Sequence, residues 1–176
     1  MPILIIIDMQ SSFLDCLETW PFAQPQPPSL QGLRERICAV IKQEILRFRQ
    51  NSDPIIFLEF KNENPTIESL SELVQGYSKA HFVIKNSCDG SQEILAQCQK
   101  SQYQIENLYI TGISISACVS GTIEGLLRRN PSLKVNLITN GCNGDLQSIN
   151  EIIARLSTSG YDSRFRLMET GADSLC

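Results

Sequence analysis

The chain has 176 residues, 42% of them hydrophobic, and a formal net charge of -4. That length and apolar content suit one domain, residues 1–176, with a packed core, and they exclude disorder as the default state. The acidic balance offers no general attraction to nucleic acid or to an anionic membrane, and no apolar stretch is long enough to cross a bilayer.

Pro2 to Ile7 is a continuous aliphatic run that ends at Asp8. A strand apolar on both faces belongs in the middle of a parallel sheet, and the run lacks the basic flank of a secretory leader. Phe13 to Ser29 holds prolines at 21, 25, 27 and 28 and is expected to be a loop. Leu33, Ile37, Val40, Ile41, Ile45 and Phe48 recur at helical spacing and predict a helix over 30–50. Pro54 to Phe60 reads as a second strand, Lys61 to Thr66 as a polar turn, and Ile67 to Val74 as a short helix.

A short third strand is predicted over Phe82–Lys85, followed by a helix that opens at Asp89–Ser91 and carries Ile94, Leu95 and Cys98. Leu108 to Ile113 is the fourth strand. From Ala117, the face formed by Val119, Ile123, Leu126 and Leu127 marks a helix that ends near Pro131. Lys134 to Thr139 is the fifth strand. Ile149, Ile152, Ile153 and Leu156 give a helix stopped by Gly160, and Phe165 to Met168 is the sixth strand. Strands that alternate with helices from end to end build an α/β fold: a three-layer, doubly wound, mostly parallel six-stranded sheet with helices on both faces.

The seven cysteines, at 16, 38, 88, 98, 118, 142 and 176, form no C-x-x-C pair. Their odd number argues against a disulfide framework, and a reducing cytoplasm is the expected compartment. The single histidine, His81, leaves little room for a zinc or Ser-His-Asp mechanism and is expected to be structural or at an interface.

Ligands of open α/β sheets bind beyond the carboxyl ends of the strands. Asp8, Lys85 and Cys118 sit at or just past three such ends, and Thr139 and Asn140 could line the same edge. A cysteine at a helix start, next to an ammonium, is expected to favour its thiolate. The bland alternatives are a buried structural thiol for Cys118, a loop-capping role for Asp8 and a solvated strand end for Lys85. Phe13, Trp20 and Phe60 flank the ends of strands one and two and are candidate walls of a substrate pocket, although Trp20 could equally pin the Pro-rich loop to the body.

Three segments carry a resemblance to a known family. Leu4-Ile5-Ile6-Ile7-Asp8-Met9-Gln10 with Phe13, Phe82-Val83-Ile84-Lys85, and Ile110 through Val119 with Thr122 appear in order, and Val135 to Cys142 follows them. Together they resemble the isochorismatase-like cysteine hydrolases, which include nicotinamidases and N-carbamoyl amidohydrolases. The resemblance implies that Cys118 attacks a carbonyl carbon to form a thioester, that Asp8 shuttles the proton, and that Lys85 holds Asp8 and lowers the thiol pKa. It also implies a cis peptide at Ile113–Ser114 that aims the Ser114 and Cys118 N–H groups at an oxyanion. The family's nicotinamidases hold a metal after strand two, but here Glu59 to Pro65 contains no histidine, so no metal and no other cofactor is expected.

The expected activity is therefore hydrolysis of a C–N bond in a small amide, ureido or carbamoyl compound. By the same resemblance the chain is expected to form a homodimer or tetramer. A catalytically silent binding or assembly module is the alternative. A receiver-like phosphoacceptor ranks lower, because Asp8 has no acidic neighbour before Asp15.

Overall fold

The computed structural model describes residues 1–17, 32–144 and 146–170. Its six strands are β1 (Pro2–Ile7), β2 (Ile55–Phe60), β3 (Ala80–Lys85), β4 (Asn107–Gly112), β5 (Lys134–Cys142) and β6 (Phe165–Met168). They form one sheet in the order β3-β2-β1-β4-β5-β6, and every neighbouring pair is parallel. The connecting helices are α1 (Ser11–Cys16), α2 (Leu33–Gln50), α3 (Glu68–Ser71), α4 (Ser91–Lys100), α5 (Ser120–Arg129) and α6 (Leu146–Thr158).

The alternation along β1 divides the core. Ile3, Ile5 and Ile7 point to the layer shared with α4, α5 and α6, where they meet Ile94, Ile123, Leu126 and Ile152. Leu4 and Ile6 point to the opposite layer, against Ile37, Ile41, Ile45 and Phe48 of α2. Both faces of β1 are therefore dry, which is why its sequence is uniformly aliphatic. Among the described residues no helix is long and apolar enough to cross a membrane.

Three local expectations need correction. Phe13 was expected in a loop but lies in α1, a helix of six residues that buries Leu14. One and a half turns are too short to display a 3.6-residue period, and no capping side chain marks the start. Cys118 does not open a regular helix. It lies in a π-helical turn over Ile115–Val119, with α5 starting at Ser120. β5 runs on to Cys142, so Thr139 and Asn140 are inside the strand rather than at its end. Thr139 Oγ1 donates to the Met168 carbonyl at 3.0 Å and Asn140 Nδ2 to the Thr170 carbonyl at 2.8 Å, which turns both toward the β6 side.

From β1 the chain runs outward through β2 to β3, then returns to place β4 on the other side of β1. This reversal puts a crevice beyond the carboxyl ends of β1 and β4. Gly112 closes β4 with φ 124° opposite Ile7, and a Cβ there would lie 2.1 Å from the Ile7 carbonyl oxygen. Both the backbone conformation and the close approach demand glycine. Gly112→Ala is expected to cost about 3 kcal/mol or more, read as a fall in the urea midpoint with an unchanged slope.

Candidate active site

Asp8 leaves β1 with φ 52°, its N–H donating to the Leu58 carbonyl at 2.9 Å. Lys85 ends the edge strand β3, two strands away, and its aliphatic stem reaches back over β2. Gly90 makes room for that stem: a Cβ there would lie 2.9 Å from Lys85 Cδ and 2.3 Å from Leu58 Cδ2. Cys118 comes from the turn after β4. The three side chains meet. Lys85 Nζ lies 2.9 Å from Asp8 Oδ2 and 3.2 Å from Cys118 Sγ, and it also donates to the Ser87 carbonyl at 3.2 Å.

Asp8 and Lys85 are buried, and Cys118, at 9% exposure, is the member that opens most to the surface. Among the described residues neither Asp8 oxygen accepts from a backbone N–H or hydroxyl, and the Lys85 ammonium and the Cys118 thiol temper its charge. Burial raises the Asp8 carboxyl above its ordinary value, against the opposing pull of Lys85 and Cys118. Burial also pushes the Cys118 thiol up to about 12. The Asp8 carboxylate adds to that rise, and Lys85 opposes it. This corrects the expectation of a resting thiolate. Lys85 acts in the expected direction, but desolvation outweighs it and favours the neutral thiol.

The turn that carries Cys118 is fixed on several sides. The peptide between Ile113 and Ser114 is cis. The Ser114 carbonyl accepts from the Ala117 and Val119 N–H groups at 3.2 and 3.0 Å, and Asn143 Oδ1 accepts from the Ile115 N–H at 3.2 Å. Thr122 Oγ1 donates to the Cys88 carbonyl at 3.2 Å and accepts from the Gly90 N–H at 3.1 Å, tying α5 to the loop after Lys85. The roles of Asn143 and Thr122 are not legible in sequence, since a polar residue past a strand or on a helix carries no mark of its partner. Gln10, named only as part of the first family-like segment, was likewise given no role. It is buried two residues after Asp8 and bonds to the backbone of Phe60.

Two of the three proposed pocket walls, Phe13 and Phe60, meet. Phe13 and Phe60 are edge-to-face with centroids 6.2 Å apart, and the Phe60 ring lies 4.3 Å from Lys85 Nζ. Trp20 falls outside the described residues. A cavity of about 570 Å³ is lined by Ser11, Glu59, Pro65, Ile67 and Phe82, among others, and a second of about 340 Å³ by Ser116, Ser148, Glu151 and Arg155. The second abuts the Cys118 turn through Ser116. Neither is lined by Asp8, Lys85 or Cys118. His81 Nε2 lies 2.9 Å from the Tyr103 hydroxyl, and burial lowers its pKa.

A sequence model of the isochorismatase domain matches residues 2–144. The chain belongs to the isochorismatase domain family. No curated protein is significantly similar to it in sequence. Among solved structures, the nicotinamidase of Staphylococcus aureus superposes with a TM-score of 0.70 at 17% identity, over 97% of this chain and 98% of that one. N-carbamoylsarcosine amidase from Thermoplasma acidophilum gives 0.68 at 12% identity, over 98% of each chain. The pyrazinamidase of Pyrococcus horikoshii, solved in complex with zinc, gives 0.67 at 14% identity, over 96% of this chain and 98% of that one. At such identities the likeness establishes the shared fold.

The isochorismatase domain of this chain does not present a zinc site after β2. Glu59 Oε1 accepts from the Thr66 N–H at 2.7 Å, and Glu63 is exposed. Among the described residues no three His, Cys, Asp or Glu side chains gather to hold a metal ion. The ligand chemistry therefore does not fit zinc, which prefers imidazole or thiolate in sets of three or four.

Proposed function

We propose that the chain is a cysteine-dependent hydrolase of small amide, ureido or carbamoyl C–N bonds, with Cys118 as nucleophile, Asp8 as proton carrier and Lys85 as the fixed cation between them. The observation that carries this reading is the single ammonium shared by a carboxylate and a thiol, 2.9 and 3.2 Å away, in a buried setting. A buried Asp–Lys pair alone does little for stability, since desolvation offsets the attraction; placed against a sulfur, it has a chemical use.

In the proposed cycle Asp8 takes the thiol proton as sulfur attacks the carbonyl carbon. The oxyanion is met by the Ser114 and Cys118 N–H groups. Collapse of the tetrahedral adduct breaks the C–N bond, and Asp8 returns its proton to the departing amine. The thioester is then attacked by water, which Asp8 deprotonates; the C–S bond breaks, the acid product leaves, and Asp8 passes its proton to the sulfur to restore the thiol. A raised carboxyl value suits this duty, because Asp8 must both accept and release the proton.

The test is ammonia release from a panel of primary amides and ureido acids, with Cys118→Ala as control. Turnover of any member that is lost in the variant supports the reading. Turnover by Cys118→Ala equal to the native rate sinks it. A second reading, a silent binding module, draws on the two cavities that exclude the three residues. It is distinguished by a native protein that releases no ammonia and whose Cys118 resists iodoacetamide.

A further inference from the structure

An ammonium group has three N–H donors. On Lys85 they have three acceptors: Asp8 Oδ2 at 2.9 Å, and Cys118 Sγ and the Ser87 carbonyl, each at 3.2 Å. The Phe60 ring, centroid 4.3 Å from Nζ, supplies a fourth contact. An aromatic face is electron-rich and attracts a cation most strongly where water is excluded, and Lys85 is fully buried.

Phe60 is also held more firmly than a pocket wall requires. Gln10 Oε1 accepts from the Phe60 N–H at 2.8 Å, while Gln10 Nε2 donates to the Phe60 carbonyl at 3.1 Å and to the Asn64 carbonyl at 2.5 Å. The segment that carries Asp8 thus also grips the strand end that sets the ring over Asp8's partner. Phe13 braces the ring from its edge.

We propose that Phe60, clamped by Gln10, is a positioning residue whose ring face holds the Lys85 ammonium between Asp8 and Cys118. The inference takes its meaning from the cysteine-hydrolase reading, but its test needs no substrate. Phe60 then acts on the nucleophile rather than on substrate affinity.

The rate of Cys118 modification by iodoacetamide, mapped by mass spectrometry on the full chain between pH 7 and 9, reports the thiolate available in the site. Cys88 is exposed and serves as the internal standard. Phe60→Leu keeps apolar bulk but removes the ring face, and it is expected to slow Cys118 relative to Cys88 by about tenfold. Phe60→Tyr keeps the face and should stay within about twofold of the native ratio. Gln10→Met should slow Cys118 in the same direction as Phe60→Leu; if it does not fold, the two Phe60 variants decide alone. A merely structural role would loosen the site and speed the labelling. An unchanged or faster rate in Phe60→Leu, or an equal loss in Phe60→Tyr, overturns the proposal. Absence of ammonia release would count against the hydrolase reading and leave these rates readable.

Discussion

Cys118→Ala is expected to lower kcat/KM by about 10⁴-fold or more, with the fold intact by circular dichroism. The side chain lost is small, so packing loss stays modest beside the chemical loss. Cys118→Ser should fall nearly as far, because the hydroxyl is a poorer nucleophile and its proton is harder to remove. Asp8→Asn should match it, since an amide cannot carry the proton. The double variant Asp8→Asn, Cys118→Ala should be no worse than either single, as befits groups that act as one unit. Additive losses would show that the two residues work separately. The native pH profile follows from the direction of the Asp8 shift: burial raises its carboxyl, so activity should fade in acid at a pH above the ordinary value of 3.8.

The alternation of apolar strands with amphipathic helices was enough to read six strands, the helices after α1, and the strand ends from which Asp8 and Lys85 meet Cys118. Asp8 was visible because a carboxylate after five aliphatic residues is costly without a partner. Lys85 stood out as the polar end of an apolar strand, and Cys118 by its place between the fourth strand and the helix that follows. The state of the thiol was not legible, because it depends on how deeply three separate segments bury one sulfur. A helix terminus and a lysine can be read along a chain; the desolvation of one sulfur cannot. Gln10 was equally hidden. Its partners are backbone groups of Phe60 and Asn64, and a side chain that bonds to backbone leaves no complementary residue to find. Thr139 and Asn140 were misplaced by three residues of strand, within the ordinary uncertainty of an element's end.

Lys85→Met should be the most destabilising substitution in the site, costing about 3–5 kcal/mol at pH 7, because it strands the Asp8 carboxylate in a buried position. The loss should depend on pH in a definite sense. Lys85 lowers the Asp8 and Cys118 values, so its removal raises both. A carboxyl whose folded value lies above its unfolded one contributes stability that is fully present below the unfolded value and lost as pH rises through the folded value. The deficit of Lys85→Met against the native chain should therefore shrink as pH falls from 7 toward 4, where Asp8 takes up a proton and no longer needs the cation. Urea melts at several pH values measure this directly. Combining Lys85→Met with Asp8→Asn removes both charges, and the pair should be more stable at pH 7 than Lys85→Met alone. A deficit that is constant across this range, or a double variant that loses the sum of the singles, would mean that the ammonium and the carboxylate do not share their charge in solution. The bridge from Asp8 to Cys118 would then lose its physical basis.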